Sequence, residues 1–138
     1  MAGYSGTPLW KKLGYKAGVS AYVESEPSNY ISLLTLPADV VVTWFPRAKS
    51  DMEFVHLFAT SAFQLKSKLE SVRKRIVPGG VIWVSWPKKS SGVTSDITED
   101  TIRDLALPMG LVDVKVCAVD EVWSGLKLVI RRTERTGW

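Results

Sequence analysis

The densest chemistry in this chain lies in residues 86–92, Trp86-Pro87-Lys88-Lys89-Ser90-Ser91-Gly92. Lys88 and Lys89 bring two ammonium groups, Ser90 and Ser91 bring hydroxyl donors, and Gly92 frees the backbone to approach a ligand. Donors of this kind on one loop suit a phosphate or carboxylate. Arg47 and Lys49 follow a second apolar run and would add cations if both runs end at one sheet edge. Any one of these residues reads better as part of a solvated loop, and it is the group that points to a site. Together, Arg47, Lys49, Trp86, Lys88, Lys89, Ser90 and Ser91 form the candidate ligand site. A second candidate is the turn holding Asp120, Glu121, Trp123 and Ser124. A Trp beside two carboxylates and a hydroxyl exceeds what a tight turn requires, although hairpin packing at either sheet edge would also explain it.

Other reactive types are sparse. His56 is the one histidine and is expected in solvent, off the apolar stripe of a helix. Cys117 is the one cysteine, so no zinc constellation forms. No Cys–His or Ser–His–Asp spacing supports a nucleophile. Catalytic residues stay unassigned, and neither a metal nor a cofactor is expected.

A chain of 138 residues is one domain's worth and buries roughly two-thirds of its unfolded surface. The net charge is +4. The excess is scattered over Lys11-Lys12, Arg73-Lys74-Arg75, Lys88-Lys89 and Arg131-Arg132, without the aromatic–basic interleaving of single-strand binders. Nucleic acid is therefore not an expected partner. Six Trp cannot all be buried with their N–H groups satisfied, so some belong to a surface, interface or pocket wall. A lone cysteine fits a reducing compartment. The opening six residues lack a charged-then-apolar signal pattern. The apolar runs are strand-length, far below the ~20 residues of a membrane span. A cytoplasmic protein with no membrane contact is expected.

These loops need elements to hold them. Thr7-Pro8 opens a short helix that Gly14 stops. Residues 19–24 read as a strand, 25–29 as a polar loop, and 30–36 stay ambiguous. Residues 38–45, with Val40-Val41-Val42-Thr43-Trp44-Phe45, read as a strand buried on both faces. Ser50-Asp51-Met52-Glu53 reads as a capping box. Val55, Phe58, Ala59, Ala62, Leu65, Leu69, Val72 and Ile76 then recur at threes and fours, which predicts one long helix ended by Pro78-Gly79-Gly80. Residues 81–86 form another buried strand. Thr98 caps a helix that ends near Pro108 and Gly110. Residues 112–118 alternate as a half-exposed strand, and 126–132 form a last, antiparallel one. Residues 1–132 are expected as one Rossmann-like domain and 133–138 as a polar tail.

This order resembles the Rossmann-type methyltransferase fold. Lys16-Ala17-Gly18-Val19-Ser20-Ala21-Tyr22-Val23 looks like its first strand, Ala38-Asp39-Val40-Val41-Val42 like its fourth, and Val77-Pro78-Gly79-Gly80-Val81-Ile82-Trp83-Val84 like its turn and fifth strand. The whole chain also resembles an uncharacterised bacterial family, a domain of unknown function. The marks are residues 7–14, Thr7-Pro8-Leu9-Trp10-Lys11-Lys12-Leu13-Gly14; residues 83–92, from Trp83-Val84-Ser85-Trp86 onward; and residues 112–127, which contain Val116-Cys117-Ala118-Val119-Asp120-Glu121-Val122-Trp123-Ser124-Gly125. The resemblance implies an α/β, three-layer, about five-stranded and mostly parallel sheet with an antiparallel C-terminal hairpin. With that fold's second and third strands deleted, the spatial order would be first, second, third, fifth, fourth.

Methyltransferases of this kind pass from the first strand into a glycine-rich turn that admits S-adenosylmethionine. Here residues 24–29 contain no glycine. The expected function is a methyltransferase-like module that binds a small anionic ligand or a protein partner. The alternative is a reduced S-adenosylmethionine-dependent methyltransferase or other group-transfer enzyme.

Overall fold

Pro8 cannot donate a backbone hydrogen bond and suits the start of a helix. The first helix, α1 (Leu9–Leu13), begins there and ends at Gly14, whose φ of 90° favours glycine. The computed structural model describes residues 6–134; residues 1–5, and 135–138 of the expected tail, lie outside the described residues. The elements that follow are β1 (Ser20–Glu24), α2 (Tyr30–Leu34), β2 (Thr43–Trp44), β3 (Met52–Phe58), α3 (Ala62–Arg73), β4 (Ile76–Pro87), α4 (Glu99–Ala106), β5 (Leu111–Ala118) and β6 (Trp123–Ile130).

The six strands form one sheet in the order β2-β1-β3-β4-β6-β5. β2, β1, β3 and β4 pair in parallel, while β6 is antiparallel to both β4 and β5. β6 alone therefore runs against the rest, and it lies between β4 and β5 as expected. One apolar layer, with Leu65, Leu69, Ile102 and Ala106, packs the sheet against α3 and α4. The other, with Leu13, Tyr15, Tyr30, Leu34 and Trp83, packs it against α1 and α2. The architecture is a three-layer, Rossmann-like α/β fold.

Several expectations are corrected. The long helix over residues 50–76 does not form. Its first part is β3, the central strand, and α3 begins only after Ser61, whose hydroxyl accepts the Gln64 amide at 3.3 Å. The physical reason is two-sided burial. Val55 and Leu57 join the layer under α3 and α4, while Phe54 and Phe58 join the layer under α1 and α2. A helix on the sheet surface buries one stripe, but a central strand buries both faces. Asp51, at φ 65°, makes a turn where a helix cap was expected.

Residues 38–45 do not form a buried strand either. Only Thr43–Trp44 is extended, at the sheet edge, and Val41 is 67% exposed. The sheet thus has six strands, and the segment read as its second member stands outside β1. Pro78-Gly79-Gly80 also ends no helix. It lies inside β4, where pairing with β3 jumps from Met52↔Ile76 to Phe54↔Val81. A Cβ on Gly80 would stand 3.0 Å from the Val77 carbonyl and 3.2 Å from that of Met52.

Candidate functional site

The parallel strands β1, β3 and β4 end at the same edge. Because β6 runs the other way, its start lies there too, so the β5–β6 turn faces the loop after β4. This settles which edge the turn occupies: Pro87 pairs with Trp123 and Trp86 with Ser124. The two candidate loops therefore touch. The Lys88 amide donates to the Val122 carbonyl at 2.7 Å, and the Lys88 ammonium donates to the Asp120 carbonyl at 3.0 Å. The Asp120 carboxylate accepts the Val122 and Trp123 amides at 2.8 and 2.7 Å, closing the turn. Ser91 donates to the Lys88 carbonyl at 2.6 Å and accepts the Val93 amide at 3.2 Å. Trp86 is buried beneath α3 and α4, and Trp123 meets Phe58 edge-on at 5.1 Å. Lys89, Ser90 and Glu121 remain exposed.

Arg47 and Lys49 do not join this group. The expectation that their strand neighbours β4 is corrected, because β1 and β3 stand between β2 and β4. Three strand spacings of ~4.8 Å put the two strand ends roughly 14 Å apart. Arg47 and Lys49 instead follow a cleft of about 500 Å³ at the ends of β1 and β2, lined by Val23, Glu26, Tyr30, Ile31, Trp44, Phe45 and Pro46. The Lys49 ammonium lies 4.1 Å from the Phe45 ring centroid, a cation–π contact. Arg47 is exposed beside Pro46.

The chain leaves β1 for β2 on one side and returns across it to β3 on the other. Such a switch point is where open α/β sheets bind ligands. On the β3 side the crevice measures only about 150 Å³, between Ser25, Phe58, Thr60 and Lys68. Glu24, which ends β1, faces Lys68 at 2.5 Å and accepts the Tyr22 hydroxyl. Burial pushes its carboxyl upward, but Lys68 and Tyr22 outweigh that and hold it below the usual range.

His56 is a further correction. It is 0% exposed, in the middle of β3. Tyr15 and Tyr30 share a hydroxyl hydrogen bond of 2.7 Å, Tyr30 meets His56 Nδ1 at 2.8 Å, and His56 Nε2 meets the Ser85 hydroxyl at 2.7 Å. Desolvation pushes the imidazole down to about 3, so the ring is neutral. The same cause raises the phenols of Tyr15 and Tyr30. A His–Ser pair suggests a base and nucleophile, but Ser85 is also 0% exposed, so no substrate reaches it. The row joins the segment after α1 to α2, β3 and β4. Strand alternation would have placed His56 between Phe54 and Phe58 once residues 52–58 were read as extended. Among the described residues, no three His, Cys, Asp or Glu gather around a metal position.

No protein-family model matches the sequence, and no curated protein sequence matches it. The expected likeness to an uncharacterised bacterial family thus finds no matching family model. Solved structures do match. A magnesium protoporphyrin IX methyltransferase from Synechocystis PCC 6803, with bound S-adenosylmethionine, is 9% identical, with 88% of this chain and 74% of that one covered and a TM-score of 0.60. An O-methyltransferase from neocarzinostatin biosynthesis, in complex with S-adenosylmethionine and a naphthoic acid, is 15% identical, with 94% and 51% covered and a TM-score of 0.64. LepI in complex with S-adenosylmethionine is 12% identical, with 91% and 47% covered and a TM-score of 0.56. This chain spans about half the length of the last two. At these identities the likeness is one of architecture, and the chain has the Rossmann-like methyltransferase fold.

Proposed function

We propose that this chain is a methyltransferase-like binding module that takes a small, flat-ringed anion at the carboxyl edge of its sheet. The observation that carries the reading is the cleft between the ends of β1 and β2. Tyr30, Trp44 and Phe45 supply aromatic wall, and Trp44 is 40% exposed. Glu26 can accept hydroxyls, and Arg47 and Lys49 leave the same rim as cations. Its volume lies within the ~300–1,000 Å³ of ordinary ligand sites. A nucleoside monophosphate fits this chemistry, with its ring stacked, its ribose on the carboxylate and its phosphate on the cations. At the other end of the edge Trp86 is buried and Lys88 and Ser91 are bonded within the loops. The proposal keeps the exposed Lys89 and Ser90, with Glu121, as contacts for a larger anion or a protein partner. A cytoplasmic setting belongs to the same proposal; among the described residues, no helix is long and apolar enough to cross a membrane.

S-adenosylmethionine in its usual pose does not fit the residues present. The turn after β1 has no glycine, Ser25 occupies φ 60° with a side chain attached, and the β1–β3 crevice is about 150 Å³. A reduced methyltransferase remains the second reading, favoured by neighbours solved with that cofactor. Calorimetric titrations with adenosine 5′-monophosphate and with S-adenosylmethionine separate the two. The proposal expects the nucleotide to bind, with loss in the Arg47→Ala, Lys49→Ala double variant. Tight S-adenosylmethionine binding with amide NMR shifts at Ser25, Glu26 and Ser28 would establish the second reading instead.

A further inference from the structure

The opposite edge of the sheet holds a larger cavity. It measures about 820 Å³ and opens where β1, β3 and β4 begin and β6 ends. Val81 and Val129 give it an apolar floor, and Lys16 and Lys127 stand in its lining. Neither lysine takes part in an ion pair among the described residues. The one carboxylate in the lining, that of Glu53, is directed to the Ser20 amide and hydroxyl at 2.9 and 3.1 Å.

The placement of Lys127 is costly. In the β5–β6 ladder it stands opposite Lys115, and like charges directly across a sheet are destabilising. Burial, with Lys115 and Lys16 nearby, holds its ammonium below the ordinary lysine range. Lys115 is turned to the Lys12 carbonyl at 3.1 Å and leaves Lys127 facing the cavity. An anion between Lys16 and Lys127 would offset the positive charge gathered around Lys127 and make two charge-assisted contacts.

We infer that the cavity between the segment after α1 and the β4–β6 ladder binds a small organic anion, its phosphate or carboxylate held by Lys16 and Lys127 and its apolar body on Val81 and Val129. This site is separate from the carboxyl-edge cleft, and neither reading depends on the other.

The test uses the full chain with phenyl phosphate, inorganic phosphate and benzyl alcohol, followed by amide NMR shifts. Phenyl phosphate is expected to shift residues 16–18, 79–81 and 127–129 and to bind more tightly than either fragment. Lys127→Gln and Lys16→Gln should each weaken it about tenfold or more, the loss of one charge-assisted contact. Lys127→Gln removes a like-charge clash, so its Tm should equal or exceed that of the parent. This shows that lost binding is not lost folding. Phenyl phosphate that leaves these residues unshifted, or shifts them in both variants at the concentrations the parent needs, overturns the proposal. So does a short single-stranded oligonucleotide that displaces it at far lower concentration, which would make the surface a nucleic-acid site. The shifts at residues 16–18, 79–81 and 127–129 read this cavity alone, apart from any phenyl phosphate taken by the carboxyl-edge cleft.

Discussion

His56 shows how much one residue's setting depends on the element beneath it. On a helix surface it would titrate near its ordinary value. In β3, desolvation holds it neutral down to about pH 3. Below about pH 6.5 the unfolded chain takes up a proton that the folded chain refuses, so unfolding is favoured as pH falls towards 3. Between pH 7 and pH 5 the loss should reach about 2 kcal/mol. No other histidine exists to share this slope, and the lowered Glu24 carboxyl acts only at more acid pH. Urea unfolding at pH 7, 6 and 5 checks it, and a flat profile would place His56 in solvent. The candidate loops were legible as polar segments at strand ends. Their inner bonds were not, because the Lys88 ammonium reaches Asp120 across 32 residues, and no local pattern reports such a partner.

At the scale of elements, the error over residues 50–61 came from two signals that agreed by accident. Ser50-Asp51-Met52-Glu53 has the letters of a capping box, and Val55, Phe58, Ala59 and Ala62 continue a helical spacing. The run from Phe54 to Phe58 is nevertheless buried at every position, which a surface helix cannot achieve. The β-branched run at residues 40–42 misled in the opposite direction, since it only leads into a two-residue edge strand. The C-terminal hairpin was legible because alternation and a short turn are local. The bulge that lets β4 pair with β3 depends on Gly80, where backbone from two segments converges. Gly80→Ala must push a carbonyl aside, and overpacking of this kind costs about 1–3 kcal/mol. Chemical denaturation should show that loss, and a variant as stable as the parent would mean that the bulge yields freely.

Across the whole molecule, the sheet keeps its two edges apart. β3 has seven residues, and at ~3.3 Å each they separate the edges by roughly 20 Å. That is about twice the screening length of ~10 Å at 0.1 M salt. The parallel strands direct their ends, with the cleft near Arg47 and Lys49, to one side, and the cavity of Lys16 and Lys127 to the other. The position of β6 between β4 and β5 was readable from the resemblance, whereas the opposition of two cavities needed the true strand order. Charges this far apart, with no shared partner, should act independently. In a triple variant, Arg47→Ala, Lys49→Ala and Lys127→Gln, the change in unfolding free energy should equal the sum of the separate changes within ~0.5 kcal/mol. Amide shifts for adenosine 5′-monophosphate near Tyr30 should be unchanged by Lys127→Gln, and those for phenyl phosphate near Lys127 unchanged by the other two. A change of more than about threefold in either affinity, some 0.6 kcal/mol, would show that the sheet couples its edges through packing, since screened charges cannot carry that much over this distance.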